Sequence, residues 1–175
     1  MKKMRSKDKV KHLFDLIECL PSDIIGLEIG SYAGESAEIF MQSSKFKRLY
    51  CVDPWYFSQS DVESKFDKIC QKYDGIIKNK GTLRDFKTDI EPVDFIYIDA
   101  RHEFIPTLKL VFQSLLFAKE PCFLGGHDYR QGQFPGVTKA LNMIIGTENI
   151  KSFGHGNWLT IVSSDKKTDI ITKKP

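Results

Sequence analysis

The sequence lacks several features that would each define a class of protein. No apolar stretch approaches the roughly 20 residues of a transmembrane helix, and the basic N-terminus is not followed by the apolar segment of a signal peptide. The four cysteines are scattered, without a CxxC pair or a zinc-binding spacing. We therefore expect a cytoplasmic protein with reduced cysteines and no membrane partner.

A strong excess of one charge is also missing, because the formal net charge is only +3. Basic residues gather at the two ends of the chain, where such runs are typical of solvated tails. They are not interleaved with aromatic residues, so we do not expect a nucleic-acid partner. The chain has 175 residues, enough for one domain. We divide it into a basic tail and helix at 1–21, a core at 22–164 and a basic tail at 165–175.

Apolar spacing predicts an alternation of helices and strands along the whole core. Helical spacing recurs at 10–20, 37–41, 62–73, 108–115 and 137–144. Strand-like apolar runs lie at 24–29, 49–52, 75–77, 93–99, 122–124, 150–153 and 158–163. Strands that alternate with helices pair in parallel, with helices on both faces of the sheet. We predict a Rossmann-like, doubly wound α/β domain with a mostly parallel seven-stranded sheet and a C-terminal antiparallel hairpin.

The first predicted strand runs into a turn with two glycines, Glu28-Ile-Gly30-Ser31-Tyr-Ala-Gly34. Open parallel sheets bind ligands at the carboxyl ends of their strands, and glycine lets the backbone approach a ligand closely. The turn is not GxGxxG, because the glycine that admits a pyrophosphate is missing. It therefore favours S-adenosylmethionine (SAM), which has a sulfonium cation and no phosphate, over NAD or FAD.

Asp53 ends the second predicted strand, about 20 residues after the glycine turn. A carboxylate at that place can accept hydrogen bonds from both hydroxyls of a ribose. Capping of the turn before Pro54 is the alternative role for Asp53 alone. The combination of Glu28, Gly30, Gly34 and Asp53 favours a nucleoside-binding site.

Ionisable residues follow two further strands. Asp99 and His102 come after the fourth strand, and His127 and Asp128 come after the fifth. The two aspartates could share a divalent cation with water and substrate oxygens, and a histidine beside them could remove a proton from a hydroxyl. Local capping is the alternative for each residue alone, and it explains all four together less well.

These motifs resemble class I SAM-dependent methyltransferases, over a stretch from about Ile24 to Ile144. The resemblance rests on Glu28-Ile-Gly30-Ser-Tyr-Ala-Gly34-Glu-Ser36, Asp53, Tyr97-Ile-Asp99-Ala-Arg-His102, Gly125-Gly-His127-Asp-Tyr129 and Phe134-Pro-Gly136-Val. The most similar branch, methyltransferase domain 24, includes macrocin- and mycinamicin-type sugar O-methyltransferases. The blocks around His102 and His127 are the specific part.

The resemblance implies a role for each matching residue. The residues that it places around SAM are Glu28, Gly30, Ser31, Gly34, Asp53, Pro54, Trp55, Thr82 and Asp99. It implies that Asp99 and Asp128 bind Mg²⁺ or another divalent cation, with His127 as the third candidate ligand in the place of a further acidic residue. It also implies that His102 is the catalytic base, with Asp99 beside it.

We predict a SAM-dependent methyltransferase that methylates a hydroxyl of a small molecule, such as a sugar or another natural product. The Asn/Asp-Pro-Pro-aromatic signature of amino-group methylation is absent near the fifth strand, which favours an oxygen acceptor. A nicotinamide-dependent oxidoreductase and a non-catalytic SAM- or nucleoside-binding protein stay open as alternatives. Only one helix precedes the first strand, where the sugar O-methyltransferases that the chain resembles carry extra segments. We therefore expect an acceptor site that is open or completed by a second subunit, as in a homodimer.

Overall fold

The computed structural model describes residues 7–56, 61–86, 90–130 and 132–172. The helices among them are α1 (Lys7–Ile17), α2 (Glu35–Gln42), α3 (Val62–Lys72), α4 (Phe104–Ser114), α5 (Pro135–Ile144) and α6 (Ser164–Thr172). The strands are β1 (Ile24–Ile29), β2 (Phe46–Asp53), β3 (Ile76–Lys80), β4 (Val93–Ile98), β5 (Ala118–Gly126), β6 (Lys151–Ser152) and β7 (Trp158–Val162). Short 3₁₀ turns lie at Leu115–Phe117, Thr147–Asn149 and Gly154–Gly156.

The strands form one sheet in the order β3-β2-β1-β4-β5-β7-β6. Strands β1 to β5 are parallel, whereas β7 runs antiparallel to β5 and to β6. The predicted seven-stranded, mostly parallel sheet with an antiparallel hairpin is confirmed. The chain winds outward from β1 to β3 and then returns to β4 beside β1, which places the switch point, where such sheets bind ligands, between β1 and β4.

Helices cover both faces of the sheet because successive side chains of a strand point to opposite faces. On β4, Phe95 and Tyr97 pack in a buried cluster with residues of α1, α2 and α3. Ile96 and Ile98, the alternate residues, pack in a second cluster with residues of α4 and α5. All four side chains are at most 6% exposed. A strand buried on both faces explains the nearly continuous apolar run from Val93 to Ile98.

Several boundaries differ from those that the sequence predicts. Strand β5 begins at Ala118, ahead of the predicted start at Cys122. Its first residues include the exposed, polar Lys119 and Glu120, so this part of the strand has no apolar signal in the sequence. The basic tail predicted at 165–175 contains a helix, α6, which runs from Ser164 to Thr172. Its Lys167 donates a hydrogen bond to the Ala118 carbonyl and pairs with Glu120, which holds α6 against β5.

Candidate active site

A cleft of about 650 Å³ opens at the carboxyl ends of β1, β2 and β4. That volume is within the range of small-molecule sites in proteins. Predicted site residues on its wall are Gly30, Ser31, Asp53, Pro54, Trp55, Thr82, Asp99 and His102. The structure therefore brings most of the predicted SAM-binding residues to one cleft, at the switch point of the sheet.

The end of β1 and the end of β4 come close together at Gly30, on the wall of the cleft. Gly30 has φ +93°, and a Cβ there would lie 2.1 Å from the carbonyl oxygen of Asp99. The Asp99 amide donates to the Ile29 carbonyl, which continues the pairing of the two strands to this point. Only glycine allows the first loop to turn against the β4 end, and this contact shapes the bottom of the cleft.

Asp53 joins the two loops that follow β1 and β2. Its Oδ2 accepts a hydrogen bond of 3.0 Å from the Tyr32 amide, and its Oδ1 accepts one of 2.8 Å from the Trp55 amide. A carboxylate has about four lone-pair directions, so each oxygen keeps one for a further donor. Since Asp53 also lines the cleft, its carboxylate can accept hydrogen bonds from the ribose hydroxyls of SAM.

Two predicted SAM-binding residues, Glu28 and Gly34, do not line the cleft. The Glu28 side chain is fully buried and accepts hydrogen bonds from Ser36 Oγ and from Cys51 Sγ at 3.5 Å. Burial, and next the charge of Glu28, raise the pKa of the Cys51 thiol well above its ordinary value. Gly34 faces α3, where a Cβ would lie 3.0 Å from Phe66. The two residues lie behind the first loop, outside the set of residues that line the cleft.

Ser31 and Thr82 both line the cleft but differ in their partners. The buried Ser31 Oγ has no hydrogen-bond partner among the described residues. Thr82 donates from its amide and its hydroxyl to Asp85 Oδ2, at 2.8 and 2.7 Å, and these bonds lower the pKa of the Asp85 carboxyl. Thr82 is thus fixed as wall, and the Ser31 hydroxyl is buried beside the Cys51 thiol, behind the surface of the cleft.

At the edge of the cleft, Asp128 lies between two histidines. Its Oδ2 is 2.8 Å from His102 Nε2, and its Oδ1 is 2.8 Å from His127 Nδ1. The Asp128 side chain is 6% exposed, whereas that of His102 is 39% exposed. An ionised carboxylate only accepts hydrogen bonds, so each contacting nitrogen carries a proton. In the neutral form of His102, the proton is then on Nε2 and the free lone pair is on Nδ1.

Asp99, His102 and Asp128 each place one ligand atom within 4.8 Å of the other two. Among the described residues His127 is not part of this group, although we predicted it as the third metal ligand. Its Nδ1 is directed to Asp128 instead, on the side away from His102. His102, predicted only as a base, takes its place near the two carboxylates.

The His102 ring is held by Phe134, a residue to which the sequence pattern assigns no role. Phe134 stacks on the imidazole, with ring centroids 4.1 Å apart and planes 19° apart. Phe134 and His102 also line a second hollow of about 490 Å³, together with Arg101, Glu103 and residues at the start of α5. The Phe134-Pro135 pair before a predicted helix is the signal that could have indicated this wall. His102 is thus shared by the cleft and the hollow.

The fold and the cleft define a Rossmann-like domain that binds its ligand at the switch point, as class I methyltransferases do. A family model described as a methyltransferase domain matches residues 27–129, more than half of the chain. The chain therefore belongs to this methyltransferase family, and it is a class I SAM-dependent methyltransferase. Among curated protein sequences, none matches the chain.

Solved structures with the same fold include enzymes crystallised with SAM or S-adenosylhomocysteine (SAH). An O-methyltransferase from Bacillus cereus in complex with SAH is 14% identical, with a TM-score of 0.65 and coverage of 94% of this chain and 84% of that one. The O-methyltransferase TomG from Streptomyces achromogenes, in complex with SAM, is 14% identical, with a TM-score of 0.62 and coverage of 93% and 82%. Aeropyrum pernix fibrillarin with bound SAM is 14% identical, with a TM-score of 0.59 and coverage of 89% and 74%.

No helix in the described parts of the chain is long and apolar enough to cross a membrane.

Proposed function

We propose that this methyltransferase moves the methyl group of SAM to a hydroxyl of a small molecule, with His102 as the base. The observation that supports this role most directly is the hydrogen bond of 2.8 Å between His102 Nε2 and the buried Asp128. It gives the enzyme an oriented imidazole at the edge of the cleft that takes SAM. The other groups act in binding SAM and in holding that imidazole.

The residues of the cleft fit SAM. The Asp53 carboxylate is at the end of β2, where it can accept from the ribose hydroxyls, and Ser31 lies on the same wall of the cleft. Pro54 and Trp55 provide apolar wall beside Asp53, suited to the adenine ring. A methyl group transferred from sulfonium to oxygen needs attacking oxygen, carbon and sulfur in line, so fixed walls of this kind promote the reaction by alignment.

A hydroxyl is a poor nucleophile until its proton is removed. Asp128 fixes the proton of His102 on Nε2, so Nδ1 is the atom that accepts the proton of the acceptor hydroxyl. Stacking on Phe134 limits rotation of the imidazole. General base catalysis of this kind contributes about 10²–10⁴ in rate.

We also propose that a divalent cation such as Mg²⁺ assists. Asp99 and Asp128 would hold it, since carboxylate oxygens are the ligands that hard cations prefer, and His102 lies within 4.8 Å of both. When bound, such an ion would lower the pKa of the acceptor hydroxyl. Activity should then fall in EDTA and return with added Mg²⁺ or Mn²⁺. Full activity after chelation would remove the cation from the scheme.

The hollow beside His102 supports a small, open acceptor site. Its charged residues neutralise each other, because Arg101 and Glu103 form two hydrogen bonds, at 2.8 and 3.1 Å. The remaining wall is uncharged apart from His102, and it is formed by Ala100, His102, Gln133, Phe134 and the first turn of α5. An uncharged ring with a hydroxyl, as in a sugar or another natural product, suits this surface.

Radiolabelled SAM and a panel of sugars, phenols and polyketides would test the proposal. With an acceptor found in this way, His102→Ala should reduce turnover about 10²–10⁴-fold, while the dissociation constant for SAH stays within about twofold. The mutation removes the base, which is one residue of the cleft wall, and leaves Gly30, Asp53 and Trp55 in place. Loss of SAH binding in the variant would show a structural role for His102, and SAH binding without transfer to any hydroxyl would indicate a non-catalytic binding protein.

A further inference from the structure

Two loops of the cleft contain residues in an unfavourable backbone conformation. Tyr32, after β1, has φ +46°, and Trp55, after β2, has φ +52°. Bulky residues seldom adopt the left-handed region, which costs about 1–2 kcal/mol per residue. Both residues line the cleft. Contacts elsewhere must therefore hold the two loops in this shape.

Two hydrogen bonds tie the two loops together, and a third lies within the second loop. Asp53 accepts from the Tyr32 amide at 3.0 Å and from the Trp55 amide at 2.8 Å. The indole Nε1 of Trp55 in turn donates to the Tyr32 carbonyl at 2.8 Å. The second loop thus holds the peptide groups on both sides of Tyr32, and it does so with one carboxylate and one indole.

The indole is itself held firmly. Trp55 is only 6% exposed, and its ring packs against Phe66 with centroids 5.0 Å apart. The ammonium group of Lys78 lies 4.9 Å from the centre of a Trp55 ring. That ammonium group is fixed by Glu63 and Asp67, at 2.8 and 2.6 Å. The position of the Nε1 donor is therefore set by α3 and β3, outside the two loops.

We propose that Trp55 is a positioning residue for SAM: its indole N–H keeps the Tyr32 loop in its left-handed, ligand-ready form. The inference rests on SAM binding in the cleft at the ends of β1, β2 and β4. Without the N–H, the free protein can relax at Tyr32, and SAM must then restore the strained loop as it binds. The predicted contact of Trp55 with adenine does not require this hydrogen bond, so the two roles can be separated.

The test is the replacement of Trp55 by 3-benzothienylalanine, in which sulfur takes the place of the indole N–H at nearly the same volume. Loss of one net hydrogen bond should weaken binding of both SAM and SAH about fivefold in calorimetry. The KM for SAM should rise by a similar factor, with kcat at saturating SAM unchanged. A purely structural role would lower the melting temperature without this selective change in affinity.

Trp158 supplies the matched control, because its buried Nε1 has no hydrogen-bond partner among the described residues. The same analogue at position 158 should leave SAH affinity unchanged. Equal affinity of the Trp55 analogue and the native protein would overturn the inference, as would an equal loss at both positions. A native protein that fails to bind SAH would instead refute SAM binding in the cleft itself.

Discussion

The close approach at Gly30 makes Gly30→Ala a severe test of the cleft. The added Cβ would lie 2.1 Å from the Asp99 carbonyl oxygen, 2.7 Å from its carbonyl carbon and 2.9 Å from the Ala100 Cα. All three are backbone atoms, so no side chain can rotate away. The ends of β1 and β4 must separate, or the first loop must change its conformation.

The cost of Gly30→Ala has two parts. A left-handed φ costs alanine about 1–2 kcal/mol relative to glycine, and overpacking against backbone costs about 1–3 kcal/mol. Their sum of about 2–5 kcal/mol is a large share of the 5–15 kcal/mol that stabilises a typical domain. For a chain of this size the melting temperature should fall by about 5–15 °C, and SAH affinity should fall at least tenfold because the loop moves.

Gly132→Ala is the control for this experiment. An added Cβ there meets no atom of the described residues within 4 Å. Thermal unfolding of this variant should match the native protein or exceed it slightly, since alanine lowers the entropy of the unfolded chain. Scanning fluorimetry and calorimetry with SAH would compare the three proteins. If Gly30→Ala melts within about 2 °C of the native protein and binds SAH equally well, the proposed packing of the β1 and β4 ends is incorrect.

Two further outcomes follow from the same structure. Asp128→Asn should preserve the backbone, because asparagine also tolerates the φ of +66° at this position. The change removes the carboxylate that only accepts hydrogen bonds, so turnover should fall about 10²-fold or more while SAH affinity stays unchanged. A fully active variant would refute the orienting role of Asp128. Burial raises the pKa of the Cys122 thiol to about 12 and that of Cys51 well above its ordinary value, so both stay protonated at pH 8. Iodoacetamide should therefore label the partly exposed Cys19 and Cys70 before Cys51 and Cys122 in the native protein, and equal labelling of all four by mass spectrometry would contradict the buried positions.

The sequence predicted the sheet and the rim residues well because both depend on simple patterns. Alternation of helices and strands determines which strand ends meet, and this brought Asp53, Asp99 and His102 to the cleft. The position of Glu28 outside the cleft lining has an identifiable cause. Side chains alternate along β1, so Glu28 points away from the face of Leu27 and Ile29, toward the helices beside Cys51.

The arrangement of the histidines could not be predicted from the sequence. Whether His102 or His127 lies near Asp99 depends on the backbone at Asp128, which adopts φ +66°. It also depends on Phe134, which comes from a different loop and stacks on only one of the two rings. Neither feature has a periodic signal. Spacing therefore indicated four ionisable residues, and tertiary packing decided which of them form the group at the cleft.

Two glycines pack against the end of β4, one from each of its neighbouring strands. Gly30 approaches it from β1, and Gly126 approaches it from β5, where a Cβ would lie 2.3 Å from the Ile98 carbonyl oxygen. The His127 amide donates to that same carbonyl, so the chain reaches Asp128 directly from this contact. The loop with Asp99 and His102 is thus fixed from both sides by backbone packing. Substitution of Gly30 should first weaken the binding of SAM, whereas substitution of Gly126 should first displace Asp128 from His102. The effects differ because each glycine supports a different neighbour of the same strand end.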